Sequence, residues 1–354
     1  MMVRNGMRWA GTPWTGRGHR EPGGFLRRAA RRLLPSLIVP VLAAGPAGAQ
    51  EVADEGDTQE GALFLLLPVG AQGVGLGRAM TALRSDEAPF WNPAGIAEES
   101  ERRVLVYRGD QLSGTATAAS FLFPWQRVGT FGLSYVLFDV GDQDLTDEFG
   151  NNLGSISVRN HLAIASFATS LPWGIQAGAN LKLVQFRIGC RGQCPDLETT
   201  SSAYGVDVGV QAQPFSGLPL RFGWMLAHAG TEFESSNEEQ SLPLPTRLRF
   251  ALAYQVLHRV FEDGMMDLWA TVETEDRARD PGSPSVYFGL NYSAADLLFV
   301  RAGYVGGELD QTDGATVGLG LRIDRFDLNL AWSLTRSTVT GRSQPIHVSL
   351  GVAF

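Results

Sequence analysis

Lysine occurs once in 354 residues, at Lys182, cysteine twice and histidine five times, and each scarcity narrows what the chain can do. His19 sits near the start and His161, His228, His258 and His347 are scattered over different segments. No Ser/His/Asp or paired-carboxylate arrangement can be read from spacing, so the expectation is a protein that is not an enzyme. A zinc centre needs about four ligands, and Cys190 and Cys194 have no histidine or further cysteine near them in sequence, so no metal and no other cofactor is expected. Long apolar runs are missing too. The nearest approach, Leu33 to Ala44, is broken by Pro35 and Pro40 and is far shorter than the ~20 residues a membrane-spanning helix needs.

That apolar run follows Arg27, Arg28, Arg31 and Arg32 and precedes Ala47-Gly-Ala49. A basic region, an apolar region and a small-residue cleavage site together read as a signal peptide over 1–49, cut after Ala49. A usual signal is about 15 to 30 residues long, so the first ~24 residues are surplus and read as an over-called start codon. Removing 1–49 takes away eight of the 29 Lys+Arg and one of the 37 Asp+Glu, which leaves 21 against 36 and a net charge of −15. No basic stripe remains, which excludes nucleic acid as a partner. Residues 50–60 are polar and acidic and read as a periplasmic tail.

What is abundant is alternation. From Arg102 to the last residue, period two recurs and no long helical period appears. Ile346, Val348, Leu350, Val352 and Phe354 share one face, while His347, Ser349, Gly351 and Ala353 share the other. Phe326, Leu328, Leu330, Trp332 and Leu334 oppose Asp327, Asn329, Ala331 and Ser333 in the same way. A sandwich would alternate as well, so the turns decide between the two. Tight connections at Pro124-Trp125, Pro172-Trp173, Pro214 to Leu218, Ala294-Ala295 and Asp324-Arg325 alternate with longer ones such as Val140 to Ile156, Gly189 to Thr199 and Gly230 to Leu244. Short periplasmic turns with longer outside loops belong to outer-membrane barrels. The fold class is therefore all-β: a transmembrane antiparallel β-barrel of about fourteen strands over 101–354, in the outer membrane of a Gram-negative-type bacterium. Trp125 and Trp173 fall at tight turns, where interfacial aromatics belong.

Between the leader and the strands lies Trp91-Asn92-Pro93-Ala94-Gly95. Pro93 holds Asn92 out of the α region and Ala94-Gly95 lets the chain reverse, so the stretch reads as a rigid turn. Upstream runs Gly61-Ala-Leu-Phe64-Leu65-Leu-Leu-Pro68-Val-Gly70-Ala71-Gln72-Gly73-Val-Gly75-Leu-Gly77-Arg78-Ala79-Met80. Together the two stretches resemble the start of the PorV/PorQ family, which belongs with the FadL-like outer-membrane barrels. Leu242 to Phe250, Val300 to Tyr304, Val317 to Leu321 and Val348 to Phe354 are similar as well, so the likeness covers nearly the whole mature chain. Departures are Gln72, where the family commonly has arginine, and Arg78, where a second glycine is usual.

The resemblance implies that residues 61–100 form an N-terminal hatch inside the lumen, with the Asn-Pro-Ala turn near its wall. It implies an accessory or cargo-shuttling role in type IX-like protein secretion, with exported proteins or secretion components as partners. A FadL-like channel for hydrophobic small molecules, or a purely structural outer-membrane anchor, is the alternative. Phe354, closing an alternating strand, resembles the signal read by the barrel-assembly machinery. Outer-membrane lipids and lipopolysaccharide are the expected surroundings.

Lys182, Asp207, Arg249, Asn291, Arg301, Arg322 and Asp327 fall on the small or polar face and are the lumen-facing candidates. On the lipid face an Arg or Lys near the midplane would cost about 2 to 4 kcal/mol, so interior ion pairing is their expected role. Cys190 and Cys194 lie in an expected outside loop reached through an oxidising compartment, and a small-loop disulfide is expected there. The acidic stretch Asp139 to Glu148 lacks EF-hand spacing and reads as a solvated loop. Gly73-Val-Gly75-Leu-Gly77 fails the dinucleotide fingerprint at Arg78, and close packing against a wall explains its glycines better.

Overall fold

The computed structural model describes residues 60–111, 114–193, 199–215, 217–233, 241–261, 264–307, 313–334 and 345–354. The expected signal peptide and residues 50–59 lie outside the described residues. Among the described residues sixteen strands follow in chain order. They are β1 Arg103–Gln111, β2 Gly114–Trp125, β3 Gly129–Thr146, β4 Asn152–Leu171, β5 Ile175–Gly192, β6 Thr199–Ala212, β7 Leu220–Gly230 and the two-residue β8 Glu232–Phe233. After β9 Leu242–Pro243 come β10 Arg247–Phe261, β11 Gly264–Arg277, β12 Ser285–Ala294, β13 Leu298–Gly306, β14 Gly314–Ile323, β15 Phe326–Ser333 and β16 Ile346–Ala353.

Fourteen of these form one closed antiparallel barrel, while β8 and β9 pair only with each other. Closure is made by β1 against β16, from Arg103 opposite Ala353 to Gly109 opposite His347. A closed ring leaves no unpaired strand edge, which is what lets strands sit in hydrocarbon. Alternation sets the two faces. Leu133, Leu181, Tyr204, Phe250, Leu290 and Leu319 are exposed on the outside, and Ser120, Ser134, Ser166, Asn180 and Asp207 are buried on the inside. Facing outward, large apolar side chains suit lipid, and the interior takes the polar ones. At the short-turn end Phe354 stacks on Phe121 with ring centroids 6.4 Å apart, and Trp173 is 86% exposed.

The stretch expected as a loop at Val140 to Ile156 is largely strand instead, and β5 runs on to Gly192 within the stretch expected as a loop at Gly189 to Thr199. β3 and β4 stay paired out to Thr146 and Asn152, with a bulge at Val140, and β4 pairs with β5 out to Gly192. Their polar composition resembles that of a loop, yet the ladder hydrogen bonds do not depend on side chains and continue beyond the other strands. A second bulge lies in β7, where Ala227 and His228 together oppose Asp207. His228 there has φ 58°, a left-handed conformation uncommon outside glycine.

Residues 61–100 hold one α-turn, α1 (Ala71–Gly75), and short 3-10 turns at Leu63–Leu66, Ala88–Phe90 and Pro93–Ile96. α1 packs on β13 to β16 and the Pro93–Ile96 turn packs on β4 to β6. Thr81 hydrogen-bonds to Glu273 on β11. A segment that touches strands all round a closed ring lies within it. Its chain direction corrects one expectation: Glu60, the last residue assigned to a periplasmic tail, sits at the long-loop end beside Arg247. From there the segment descends through the lumen and joins β1 at the short-turn end, because Arg103 pairs with Ala353 there.

Candidate functional site

The lumen has two kinds of wall. One side and its floor are polar, and here the N-terminal segment is held by directional bonds. Asn92 is fully buried and extended (φ −139°, ψ 110°), as a residue before proline must be. Its side-chain oxygen accepts the Ala94 N–H at 3.0 Å, and its amide donates to the Thr81 carbonyl at 2.7 Å. The same amide lies 3.4 Å and 3.5 Å from the carbonyls of Val210 and Trp224 on the wall. Gly209 makes this approach possible, since a Cβ there would come within 1.9 Å of the Asn92 oxygen. Trp91 donates its indole N–H to the Val69 carbonyl at 2.9 Å. Pro93, Ala94 and Gly95 are all buried.

Carboxylates that sequence spacing did not single out do much of the anchoring. Glu87 accepts the backbone N–H groups of Gln72 at 3.1 Å and Gly73 at 3.0 Å, and the Ser349 hydroxyl at 2.7 Å. Burial, reinforced by the neighbouring Asp86, pushes the Glu87 carboxyl up to about 7 against the pull of those hydrogen bonds. On the opposite wall Glu273 accepts both the N–H and the hydroxyl of Thr81, at 2.8 and 2.7 Å. Gln211 donates to the carbonyls of Thr81 and Leu83. The signal for Glu273 and its neighbour Glu275 was the strand period itself, since both share the inward face with Thr271. Glu87 had no such signal, because Ser349 is 262 residues away.

The lumen candidates fall into separate groups. Lys182 and Asp207 are buried and 2.6 Å apart, and Asp207 also accepts the His228 N–H at 2.8 Å, inside the β7 bulge. Arg249 reaches Glu275 at 2.6 Å and its guanidinium lies 5.7 Å from the Trp91 ring centre. Arg301 donates to the Asn329 side chain at 2.7 Å. Arg322 and Asp327 pair with each other near the short-turn end, where Asp327 also takes Arg103 at 3.0 Å. Asn291 is half-buried on β12, opposite Arg301. Cys190 closes the long-loop end of β5, and Cys194 lies outside the described residues. Among the described residues no group of three His, Cys, Asp or Glu could hold a metal.

The other wall, at the long-loop end, is apolar. Tyr107, Ala116, Ala118, Val136, Phe138, Leu162, Ile164, Val184 and Ala203 face inward from β1 to β6 and form one cluster with Leu65 and Leu244. Ala62, Phe64, Leu67, Val69 and Phe233 pack against it. Toward the short-turn end the same strands change to Ser120, Ser134, Ser166, Asn180 and Asp207. The inner wall of these strands is therefore mostly apolar toward the long-loop end and polar toward the short-turn end. A separate apolar groove of about 430 Å³, between Val210, Phe222, Trp224, Phe250 and Leu252, opens on the lipid-facing side.

This architecture, a closed fourteen-strand antiparallel barrel with residues 61–100 packed against its inner wall, recurs among solved outer-membrane transporters. Among solved structures the chain is similar to the Pseudomonas putida toluene transporter TodX, with a TM-score of 0.53 and 14% identity over 80% of this chain and 98% of that one. It is likewise similar to the Ralstonia pickettii toluene transporter TbuX (TM-score 0.54, 12% identity, 80% and 98% covered) and to the monoaromatic hydrocarbon channel CymD (0.53, 13%, 81% and 97%). Identities this low establish the fold and nothing finer. No protein-family model and no curated protein matches the chain.

Proposed function

We propose that this chain is an outer-membrane channel for small hydrophobic molecules and carries out no chemistry on them. The observation that carries the reading is the apolar inner wall of β1 to β6 toward the long-loop end, packed against Leu65 and Phe64 above a segment that is hydrogen-bonded to the polar wall. A solute without charge gains from leaving water for such a wall at about 25 cal/mol per Å² of apolar surface, whereas an ion would lose its hydration. The solved neighbours support it, two being named as toluene transporters and one as a monoaromatic hydrocarbon channel. In this reading residues 61–100 are the hatch, Phe354 is recognised by the barrel-assembly machinery, and outer-membrane lipids with lipopolysaccharide surround the wall. An accessory or cargo-shuttling role in type IX-like secretion is the second reading, carried by the PorV/PorQ likeness of Gly61 to Met80 and Trp91 to Gly95. Uptake of radiolabelled toluene by cells producing the full chain separates them. Uptake above that of cells lacking the protein is expected, and equal uptake in both refutes the channel.

A further inference from the structure

On the outward face of β3 to β6 the side chains change character toward the long-loop end. Leu181, Val206 and Val208 are exposed and apolar. At the next level Tyr204 lies beside Leu183, and the Tyr135 hydroxyl meets the His161 ring at 2.6 Å. Aromatic girdles of this kind mark the border between hydrocarbon and headgroups. Beyond them the outward positions are charged, with Asp139, Arg159 and Arg187 opposite one another on β3, β4 and β5. This row sits where the flanking strands run out, Asp139 pairing with Thr115 of β2 and Arg187 with Thr200 of β6. Arg159 and Arg187 are direct cross-strand partners, so their Cβ atoms lie about 4.5 to 5.5 Å apart on one face, and like charges so placed are destabilising. Arg191 follows on the same face of β5. Of the three arginines only Arg159 has a carboxylate partner among the described residues, Asp139 at 3.3 Å. Between Arg187 and Arg191 stands Gly189, where a Cβ would come within 2.8 Å of the Ser157 hydroxyl. The glycine leaves a notch flanked by guanidinium groups and a hydroxyl. Asp142 and Asp144 stand opposite Ser157 and Ser155, so the patch is acidic toward β2 and basic toward β6.

We propose that this notch binds the phosphorylated sugar headgroup of lipopolysaccharide, whose acyl chains then lie on Leu181, Leu183 and Tyr204. A phosphate between Arg159 and Arg187 turns their repulsion into charge-assisted hydrogen bonds, for which the planar guanidinium fork is suited. Continuity of the notch with the apolar band favours an amphiphile over a free anion, because one molecule then covers both. Charge on the lipid face costs little at this height, about 0 to 1 kcal/mol near the interface. The site takes the long-loop end as the cell-surface end, as short periplasmic turns imply, and it does not depend on what the lumen conducts.

The experiment titrates the protein, purified from outer membranes in a neutral detergent, with diphosphoryl lipid A and counts bound lipid by native mass spectrometry. Arg187→Gln with Arg191→Gln is expected to weaken binding about tenfold or more. Dephosphorylated lipid A is expected to bind the unmodified protein as weakly, an arm that stands whatever the variant does to folding. Arg127→Gln with Arg325→Gln removes the same charge from exposed positions at the short-turn end and should leave binding unchanged. Undiminished affinity in the Arg187→Gln, Arg191→Gln variant, or for the dephosphorylated lipid, overturns the site. An equal loss in the short-turn variant overturns it as well, because binding then follows net charge. Displacement of lipid A by inorganic phosphate at matched concentration overturns the lipid in favour of a free anion.

Discussion

Replacing Asn92 by alanine tests whether the turn it heads holds the segment to the wall. The side chain makes four polar contacts from a fully buried position, and their fates differ. The Thr81 carbonyl keeps Gln211 as a donor at 3.0 Å. The Val210 and Trp224 carbonyls belong to residues paired in the β6–β7 ladder and lose only long contacts. The Ala94 N–H is different, since the Asn92 oxygen is the acceptor that caps the 3-10 turn. Leaving such a group buried and unpaired costs about 1 to 3 kcal/mol, and the loss of an N-cap, which is the same interaction counted another way, costs about 0.5 to 2 kcal/mol. A value near 2 kcal/mol is therefore expected, enough to raise the released population about thirtyfold.

The barrel should not share that loss, because its bonds run strand to strand and bypass the segment. The assay is maleimide labelling of a buried cysteine in the segment, at Ala82→Cys in a Cys190→Ser, Cys194→Ser background, beside heat-modifiability on a gel as the measure of the barrel. Labelling is expected to rise by more than tenfold with an unchanged gel shift. A change below twofold would show that Asn92 is a dispensable turn residue, and a barrel that melts early would show that the segment is part of the frame.

Three further outcomes follow from the same contacts. Because burial raises the Glu87 carboxyl from 4.5 to about 7, the folded segment holds this proton more tightly than the unfolded one; its contribution to stability is full below pH 4.5 and is lost as pH rises through about 7. The ratio of segment labelling in this chain to that in Glu87→Gln, which cancels the thiolate's own pH dependence, should therefore increase between pH 6 and 8, whereas a constant ratio places the titrating group elsewhere. Gly303→Ala would put a Cβ 2.1 Å from the Gly77 nitrogen, backbone against strand, so the α1 region should be expelled and small-solute leakage should rise; a silent variant refutes the close approach. Non-reducing mass spectrometry should find Cys190 joined to Cys194, and two alkylatable thiols in the mature protein would refute the staple.

Strand number and facing were legible because a membrane barrel writes both into a period of two. Val348 and Ser349 differ in chemistry for the reason that one meets lipid and the other Glu87. Lys182 and Asp207 could be placed on the inner face by the same period, but their meeting could not, since it needs the β5–β6 register and the one-residue bulge at Ala227 and His228. The extent of β3 and β4 was hidden because Asp142, Asp144 and Asn152 are loop-like by composition while their backbones stay in the ladder. Glu60 was read as tail for a related reason. An acidic residue beside an acidic run looks solvated, and only the closed fold brings Arg247 to it from 187 positions away.

The two walls of the lumen hold the N-terminal segment differently, its first part by apolar contact and its later part by hydrogen bonds. From Ala71 to Ile96 the segment is tied by bonds to Ser349, Thr316, Glu273, Gln211 and Asn180, and releasing it would strand several buried donors and acceptors at about 1 to 3 kcal/mol apiece. From Ala62 to Leu67 the hold on the wall is apolar, at about 1.5 to 3 kcal/mol for each fully buried large side chain, and at Pro68 it turns polar, where Gln111 donates to the carbonyl at 2.8 Å. Any apolar surface can restore that burial and cannot restore the hydrogen bonds. Beneath Phe64 and Leu65 the lumen is closed by Glu87, Asn92 and Glu273, so opening it from end to end requires breaking the bonds of the polar half.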